Sequence, residues 1–127
     1  MATYNHFYEL PVYRALRAFR SKVSGLVKKY VPKGEADLKK QIMKSSRSCT
    51  ANYAEGFGRY YYKENIQFCR QSRGSLAESM EHLITCYDEK YISKDILQDI
   101  NRDYKKCLKE INGYLKYLKS KKDSDNN

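Results

Sequence analysis

Apolar side chains recur every three or four positions along four segments of the chain, which predicts four amphipathic helices. These helices are predicted over residues 11 to 31, 35 to 55, 62 to 87 and 94 to 118. The fourth pattern is the most regular, because steps of three and four alternate throughout Leu97, Ile100, Tyr104, Cys107, Ile111, Tyr114 and Leu118. Such a stripe needs other helices to cover it, so the pattern predicts a helix bundle.

The other helices carry the apolar stripes that complete the predicted core. The stripe of the first helix consists of Val12, Leu16, Phe19, Val23, Leu26, Val27 and Tyr30. The stripe of the second helix consists of Leu38, Ile42, Cys49 and Tyr53. The stripe of the third helix consists of Ile66, Cys69, Leu76, Met80, Leu83 and Tyr87. The helices are similar enough in length to pack side by side.

Local signals indicate where the helices begin and end. Pro11 suits a first helical position, where its missing N–H would have no partner, and Pro32 ends the first helix. Gly56 and Gly58 end the second helix, because glycine readily takes the left-handed conformation that caps a helix C-terminus. Ser93 is the predicted N-cap of the fourth helix.

The short connections between the predicted helices favour antiparallel neighbours. The predicted fold class is therefore all-α, a single antiparallel up-and-down four-helix bundle over residues 1–118. Residues 119–127 have no apolar side chain, so we expect them to form a disordered polar tail.

Small side chains predict that two helices approach each other closely. The middle of the second helix, residues 45 to 51, is poor in large side chains, and Gly74 and Ser75 are a matching small pair on the third helix. Glycine inside a helix costs about 1 kcal/mol relative to alanine. Gly25, Gly74 and Gly113 therefore either mark close contacts between helices or are simply tolerated at that cost.

Composition limits the possible functions. A length of 127 residues with 41% hydrophobic residues suits one domain, and no signal peptide or membrane-spanning run is present, so we expect a cytoplasmic protein. No phosphate-binding loop or catalytic arrangement is present, and the two histidines do not form the Glu-x-x-His pairs of di-metal bundles. We therefore predict no catalytic site, no metal and no cofactor. The widely spaced cysteines are predicted to be core thiols: Cys49, Cys69, Cys86 and Cys107.

The formal net charge of +10 predicts a polyanionic partner, such as nucleic acid, acidic lipid or an acidic protein. The excess lies mainly in residues 1–34, with +6, and in residues 93–127, with +3. On the first helix, Arg14, Arg17 and Lys28 point away from the apolar stripe and form a basic ridge. This ridge is either a binding face or merely a solvated face.

An aromatic segment between cations follows the second helix. It consists of Arg59, Tyr60, Tyr61, Tyr62 and Lys63. Aromatic rings beside cations can stack on unpaired bases, and they can equally fill a subunit interface.

Polar side chains form a second stripe beside the apolar face of the second helix. The members of this stripe are Gln41, Lys44, Ser48, Asn52 and Glu55, and Arg73 and Glu78 on the third helix are candidate partners. Partly buried amides and charges must be paired, so the stripe is predicted to form a structural network or a subunit interface, with direct ligand contact as the alternative.

These residues also carry a resemblance to a known family. The run from Gln41 to Arg59, followed by Lys63-Glu64 and Gly74-Ser75-Leu76-x-Glu78, resembles the four-helix-bundle proteins encoded in intervening sequences of bacterial 23S ribosomal RNA genes. The opening Leu10-Pro11-Val12-Tyr13 also fits, so the resemblance covers nearly the whole chain.

The chain departs from the family pattern at four positions. The family carries arginine at Lys44, often isoleucine at Cys49 and Tyr53, and usually a serine cap at Tyr61. Lysine keeps the charge of arginine but loses its bidentate geometry. The resemblance implies a homopentamer with basic surfaces. It also implies kinship with the accessory variability determinants of diversity-generating retroelements, which partner a reverse transcriptase and nucleic acid.

Two hypotheses for function follow from these patterns. The first is a non-enzymatic, oligomeric bundle that binds nucleic acid mainly electrostatically, with structured RNA favoured over DNA. The second is a protein-interaction scaffold, such as a reverse-transcriptase accessory subunit, whose basic face meets an acidic partner.

Overall fold

The computed structural model describes residues 4–125. A short 3-10 helix, Phe7–Glu9, precedes four α-helices, which are α1 (Pro11–Tyr30), α2 (Ala36–Phe57), α3 (Tyr62–Asp88) and α4 (Lys94–Asp125). The described residues contain no β-strand, so the all-α prediction is confirmed. Pro11 is the first residue of α1, as predicted. The predicted cap of α4 is confirmed, because the Ile96 N–H donates to Ser93 Oγ at 3.2 Å.

The four helices pack as an antiparallel bundle. Each helix packs against its neighbours in sequence, and α4 packs against α1, so α1 and α3 lie diagonally opposite each other. Ser45 of α2 is hydrogen-bonded to Ser79 of α3, and Ser48, one turn later, is hydrogen-bonded to the earlier Ser75, so these two helices run antiparallel. Consequently the start of α1, the end of α2, the start of α3 and the end of α4 share one end of the bundle.

The buried core follows the predicted stripes closely. On α1 the buried side chains are Val12, Leu16, Phe19, Val23 and Val27. On α3 the buried stripe ends at Cys86, whereas Tyr87 is exposed, so the prediction for Tyr87 was wrong. Both residues lie within a turn of Leu83, and only the rotation of the packed helix decides which of them faces inward. All four cysteines are buried free thiols, as predicted.

Two helix ends differ from the predictions. Gly58 has φ −76° and ψ −6°, so α2 ends without a left-handed glycine and its predicted cap was wrong. Helix α4 continues to Asp125, so the predicted disordered tail is helical over the described residues 119–125. No glycine or proline follows Leu118, and extending an existing helix requires only one more residue to be fixed for each hydrogen bond. Residues 126–127 lie outside the described part of the chain.

Candidate nucleic-acid interface

The basic ridge of α1 lies on the open surface. Arg14, Arg17 and Lys28 are all exposed. None of the ion pairs formed within residues 4–124 involves these three side chains. Their charges are therefore available to an anionic partner.

Helix α2 extends this cationic surface across a groove that it shares with α1. The groove has a volume of about 520 Å³ and contains Arg20 and Arg47 from the two helices. Arg20 Nη1 donates to Thr50 Oγ1 at 2.9 Å, which fixes the guanidinium beside the groove. Ser21, Ser24 and Ser46 also line it, and no carboxylate is among its lining residues.

Sequence reasoning missed Arg20 and Arg47. Arg20 lies at the edge of the apolar stripe of α1. Arg47 belongs to α2, and its position beside the same groove is apparent only once α1 and α2 are paired. A charge count over α1, α2 and the loop between them gives a clear signal, because residues 11–57 contain eleven Lys and Arg against three Asp and Glu. That difference is +8, compared with +10 for the whole chain.

Lys22 is the cation of α1 that the fold neutralises. Its Nζ forms ion pairs with the carboxylates of Asp99 and Asp103 on α4, and the distance from Nζ to the Asp103 oxygen is 2.7 Å. Hydrogen bonds to Asp103 and Asp99 raise the pKa of Lys22, and the hydrogen bond from Lys22 lowers the pKa of Asp99. Lys22 therefore joins α1 to α4 and contributes little to the field outside.

The aromatic segment separates into exposed and structural residues. Tyr60 is 90% exposed and Tyr61 is 63% exposed, and their rings meet edge to face at 4.8 Å. Lys63 is also exposed. Tyr62 instead packs against the core. Tyr60, Tyr61 and Lys63 thus remain accessible to a partner.

Arg59 serves the turn between α2 and α3. Its guanidinium pairs with Glu55 at 2.7 Å and with Glu64 at 3.6 Å, and it lies 4.9 Å from the centre of the Phe68 ring. The two carboxylates offset its charge. Arg59 is therefore held by contacts within the protein, unlike Arg14, Arg17 and Lys28, which form no ion pair within residues 4–124.

The predicted polar stripe is only partly in contact with α3. Asn52 Nδ2 donates to Ser48 Oγ at 2.8 Å, and Ser48 is hydrogen-bonded to Ser75 at 2.9 Å. Gln41, Lys44 and Glu55 are exposed instead. The continuous network expected along the whole stripe is therefore limited, within this chain, to its serine and asparagine members.

The two candidate partners on α3 face elsewhere. Arg73 Nη1 donates to Asn112 Oδ1 of α4 at 2.8 Å, so it links α3 to α4 and not to α2. Glu78 is exposed, and so is Gly74, around which the space is open. No other helix of this chain therefore approaches Gly74 closely, whereas the neighbouring Ser75 does contact α2.

Serines form most of the polar contact between α2 and α3. Ser45 and Ser79 are buried and hydrogen-bonded at 2.9 Å, and Ser72 Oγ donates to the Cys49 carbonyl oxygen at 2.5 Å. Sequence reasoning missed Ser72 and Ser79. Their spacing with Ser75, in steps of three and four, was the available signal because it places three hydroxyls on one face of α3.

Three of the four buried thiols have strongly raised pKa values. Burial raises the pKa of Cys49, Cys69 and Cys107 to about 12, which keeps these thiols protonated at neutral pH.

In the described part of the chain, no three His, Cys, Asp or Glu side chains lie close enough together to hold a metal ion. No helix within residues 4–125 is both long and apolar enough to cross a membrane.

Comparisons with known proteins identify the family. The structure is similar to that of a protein of unknown function from the S23 ribosomal protein family of Bacteroides thetaiotaomicron VPI-5482. The TM-score is 0.73 at 22% sequence identity, and the alignment covers 83% of this chain and 98% of the other. None of the curated proteins that were compared matches the chain. The profile of one family, described as 23S rRNA-intervening sequence protein, matches residues 8–113. Because that match spans most of the length of this chain, the chain belongs to the 23S rRNA-intervening sequence proteins.

Proposed function

We propose that this protein is a non-enzymatic nucleic-acid-binding bundle that prefers RNA to DNA and binds through the cationic face of α1 and α2. The observation that carries the proposal is the concentration of a net charge of +8 within residues 11–57, from the start of α1 to the end of α2. Arg14, Arg17 and Lys28 are exposed on that face and form no ion pair with residues 4–124. Such a field attracts polyanions, including the phosphate backbone of nucleic acid.

The cationic face has the length and chemistry to follow a phosphate backbone. Residues 14 to 28 of α1 span about 21 Å at the usual helical rise. Ser21 and Ser24 lie between the arginines and Lys28 at steps of three and four, so their hydroxyls continue the same stripe. Guanidinium groups bind phosphate oxygens in pairs, which suits Arg14 and Arg17 on α1 and Arg47 in the groove between α1 and α2.

The preference for RNA rests on exposed aromatic rings. Tyr60 and Tyr61 are the most exposed large hydrophobic side chains of the described residues. They lie at the end of the bundle where α1 begins. RNA loops and single strands offer unstacked bases that can stack on tyrosine, whereas the bases of a DNA duplex are already stacked. Contacts of this kind give little base specificity.

Assembly into a closed ring of five subunits is part of the proposal. The family resemblance motivates the number five. The exposed surface of α2 and α3 suits an interface because small side chains, Ala51, Gly74 and Ala77, lie among charges of both signs, Lys44 and Glu78. A ring repeats the cationic face, so several subunits can engage one polymer and gain avidity without new contacts.

Charge reversal on the ridge tests the nucleic-acid hypothesis. In Arg14→Glu/Arg17→Glu, RNA affinity should fall for all sequences. The slope of log affinity against log salt should flatten by about 0.7 to 0.9 for each phosphate that the variant no longer neutralises. Filter binding of labelled RNA at several salt concentrations measures both quantities. The fold should be retained, because both side chains are exposed.

The control for this experiment is Lys94→Glu/Lys105→Glu. It makes the same change in net charge at exposed positions on α4, which takes no part in the proposed interface of α2 and α3. We expect it to weaken binding much less. Equal losses of affinity in the two variants would contradict a localised face. An absence of RNA binding by the unmodified protein at low salt would overturn the proposal and favour the scaffold function, such as that of a reverse-transcriptase accessory subunit.

A further inference from the structure

The aromatic residues are concentrated at the end of the bundle where α1 begins and α4 ends. Twelve of the seventeen Tyr and Phe residues lie in residues 4–13, 53–68 and 114–117. Many of these rings fill the core, but Tyr4 is 40% exposed and Tyr117 is 37% exposed. Aromatic surface therefore remains uncovered at this end, beyond Tyr60 and Tyr61.

Tyr4 and Tyr117 line a cavity of about 640 Å³ between the N-terminal residues, the end of α2 and the last turns of α4. Phe57 and Tyr114 contribute further aromatic wall, and Lys109 and Lys121 contribute cations. The rings of Tyr114 and Tyr117 are stacked with their centres 6.0 Å apart. Lys121 Nζ lies 5.9 Å from the centre of the Tyr117 ring.

Gly113 keeps part of this cavity open. It lies in the middle of α4 and lines the cavity. A Cβ atom added there would meet no heavy atom within 4 Å, apart from its immediate neighbours in the helix. A larger residue at this position would therefore extend into the cavity without displacing packed atoms.

The chemistry of the lining matches a nucleotide. A nucleobase needs an aromatic face, which Tyr117 offers, and its phosphate needs a cation nearby, which Lys109 and Lys121 offer. The Glu110 carboxylate also lines the cavity and can accept a hydrogen bond from a base amino group. With two ammonium groups against one carboxylate, the cavity favours an anionic aromatic ligand over a neutral one.

We propose that this cavity binds the base of an unpaired nucleotide against Tyr117, with the adjoining phosphates beside Lys109 and Lys121. The proposal rests on the proposed nucleic-acid function and adds a second kind of contact to it. The cationic face of α1 and α2 holds the backbone without regard to sequence or pairing, whereas the cavity accepts only bases that are free of a partner strand.

The test compares two RNA probes of equal charge, a fluorescently labelled ten-nucleotide oligoadenylate and an abasic ten-mer with the same sugars and phosphates. Fluorescence anisotropy titration measures both affinities, and their ratio isolates the contribution of the bases. Stacking on tyrosine predicts that the unmodified protein binds oligoadenylate roughly fivefold to a hundredfold more tightly than the abasic probe.

Two variants are expected to lower this ratio of affinities. Gly113→Leu places a side chain in part of the cavity, and the fold is protected because leucine is a better helix former than glycine. Tyr117→Ala removes the aromatic face from a partly exposed position. In both variants the ratio should fall severalfold, to the part that stacking on Tyr60 and Tyr61 supplies, while binding of the abasic probe is unchanged.

Gly25→Leu is the matched control, because Gly25 is an equally open helix glycine on α1, towards the opposite end of the bundle. It lies beside Lys28 on the cationic face, so any loss of affinity should be the same for both probes. It should keep the ratio of the unmodified protein. A ratio near one in the unmodified protein, or a ratio that survives Gly113→Leu, would overturn the cavity proposal while leaving the cationic face intact. If neither probe binds at low salt, the proposed function fails together with it.

Discussion

At Gly56, the packing of α2 against α3 leaves no room for a side chain. It is buried near the end of α2. A Cβ atom added there would lie 2.8 Å from both Asn65 Oδ1 and Phe68 Cβ on α3, and 3.1 Å from the Asn65 carbonyl oxygen. These distances are shorter than van der Waals contact. Glycine at this position therefore allows the first turns of α3 to pack directly on α2.

Gly56→Ala should destabilise the protein by about 1 to 3 kcal/mol, because the crowding of Asn65 and Phe68 outweighs the better helix propensity of alanine. Urea denaturation followed by circular dichroism measures the change. Gly25→Ala and Gly74→Ala are the controls. Both glycines have open surroundings, so each substitution should stabilise the protein by up to about 1 kcal/mol. A denaturation midpoint of Gly56→Ala at or above that of the unmodified protein would contradict the steric argument.

At the scale of the helices, two interfaces of the bundle use different interactions. Serine hydroxyls join α2 to α3, as in the bond between Ser45 and Ser79. Lys22 joins α1 to α4 through Asp99 and Asp103. Hydroxyl contacts do not titrate, so the acid sensitivity of packing should differ between these two interfaces.

The pairing of Lys22 with Asp99 predicts a specific loss of stability in acid. The hydrogen bond from Lys22 holds the pKa of Asp99 below its usual value, so the ionised carboxylate is favoured in the folded state. Its contribution is present above about pH 4, the ordinary pKa of Asp, and is lost as the pH falls through the lower folded-state pKa. Asp99→Asn removes this contribution at every pH.

Urea midpoints measured between pH 2 and pH 7 test this prediction. The midpoint of the unmodified protein should fall more steeply in acid than that of Asp99→Asn, and the two curves should converge at the lowest pH. Glu78→Gln is the control, because this carboxylate is exposed and takes part in none of the ion pairs formed within residues 4–124. Parallel curves for Asp99→Asn and the unmodified protein would show that the pair contributes nothing. The effect should be modest, because both side chains of the pair are partly exposed.

At the scale of the whole molecule, different surfaces of the bundle have different chemical characters. The face of α1 and α2 is cationic, and the exposed surface of α2 and α3 has small residues among mixed charges. One end of the bundle is aromatic and contains the cavity beside Tyr117. A ring built through α2 and α3 would leave Arg14, Arg17 and Lys28 accessible in every subunit, because α1 lies diagonally opposite α3.

The ring proposal predicts a solution mass of about five times the subunit mass of 15.0 kDa. Size-exclusion chromatography with light scattering at micromolar concentration measures it. Ala77→Arg, at an exposed position on α3, should lower the mass without loss of helical signal, because a long charged side chain would crowd the interface. Lys94→Glu/Lys105→Glu, at exposed positions on α4, reports whether a change of charge away from the interface has the same effect. A monomer at micromolar concentration would end the ring proposal.

The candidate site was only partly predictable from the sequence. The exposure of Arg14, Arg17 and Lys28 followed from their angle to the apolar stripe on one helix. The neutralisation of Lys22 and the turn contacts of Arg59 did not follow, because both depend on partners that only folding brings near. The cavity beside Tyr117 also requires three separate segments to meet, and no sequence window contains all of them.

The sequence by itself determined the four helices, their buried faces and the sign of the surface charge, because helical periodicity and composition are properties of each segment alone. The tertiary structure decided how the helices are rotated and aligned against one another. It selected Cys86 over Tyr87 for the core, Asn112 as the partner of Arg73, and Gly56 as the point of close approach. Rotation and alignment depend on how all four helices pack together, and that requirement is absent from any single segment.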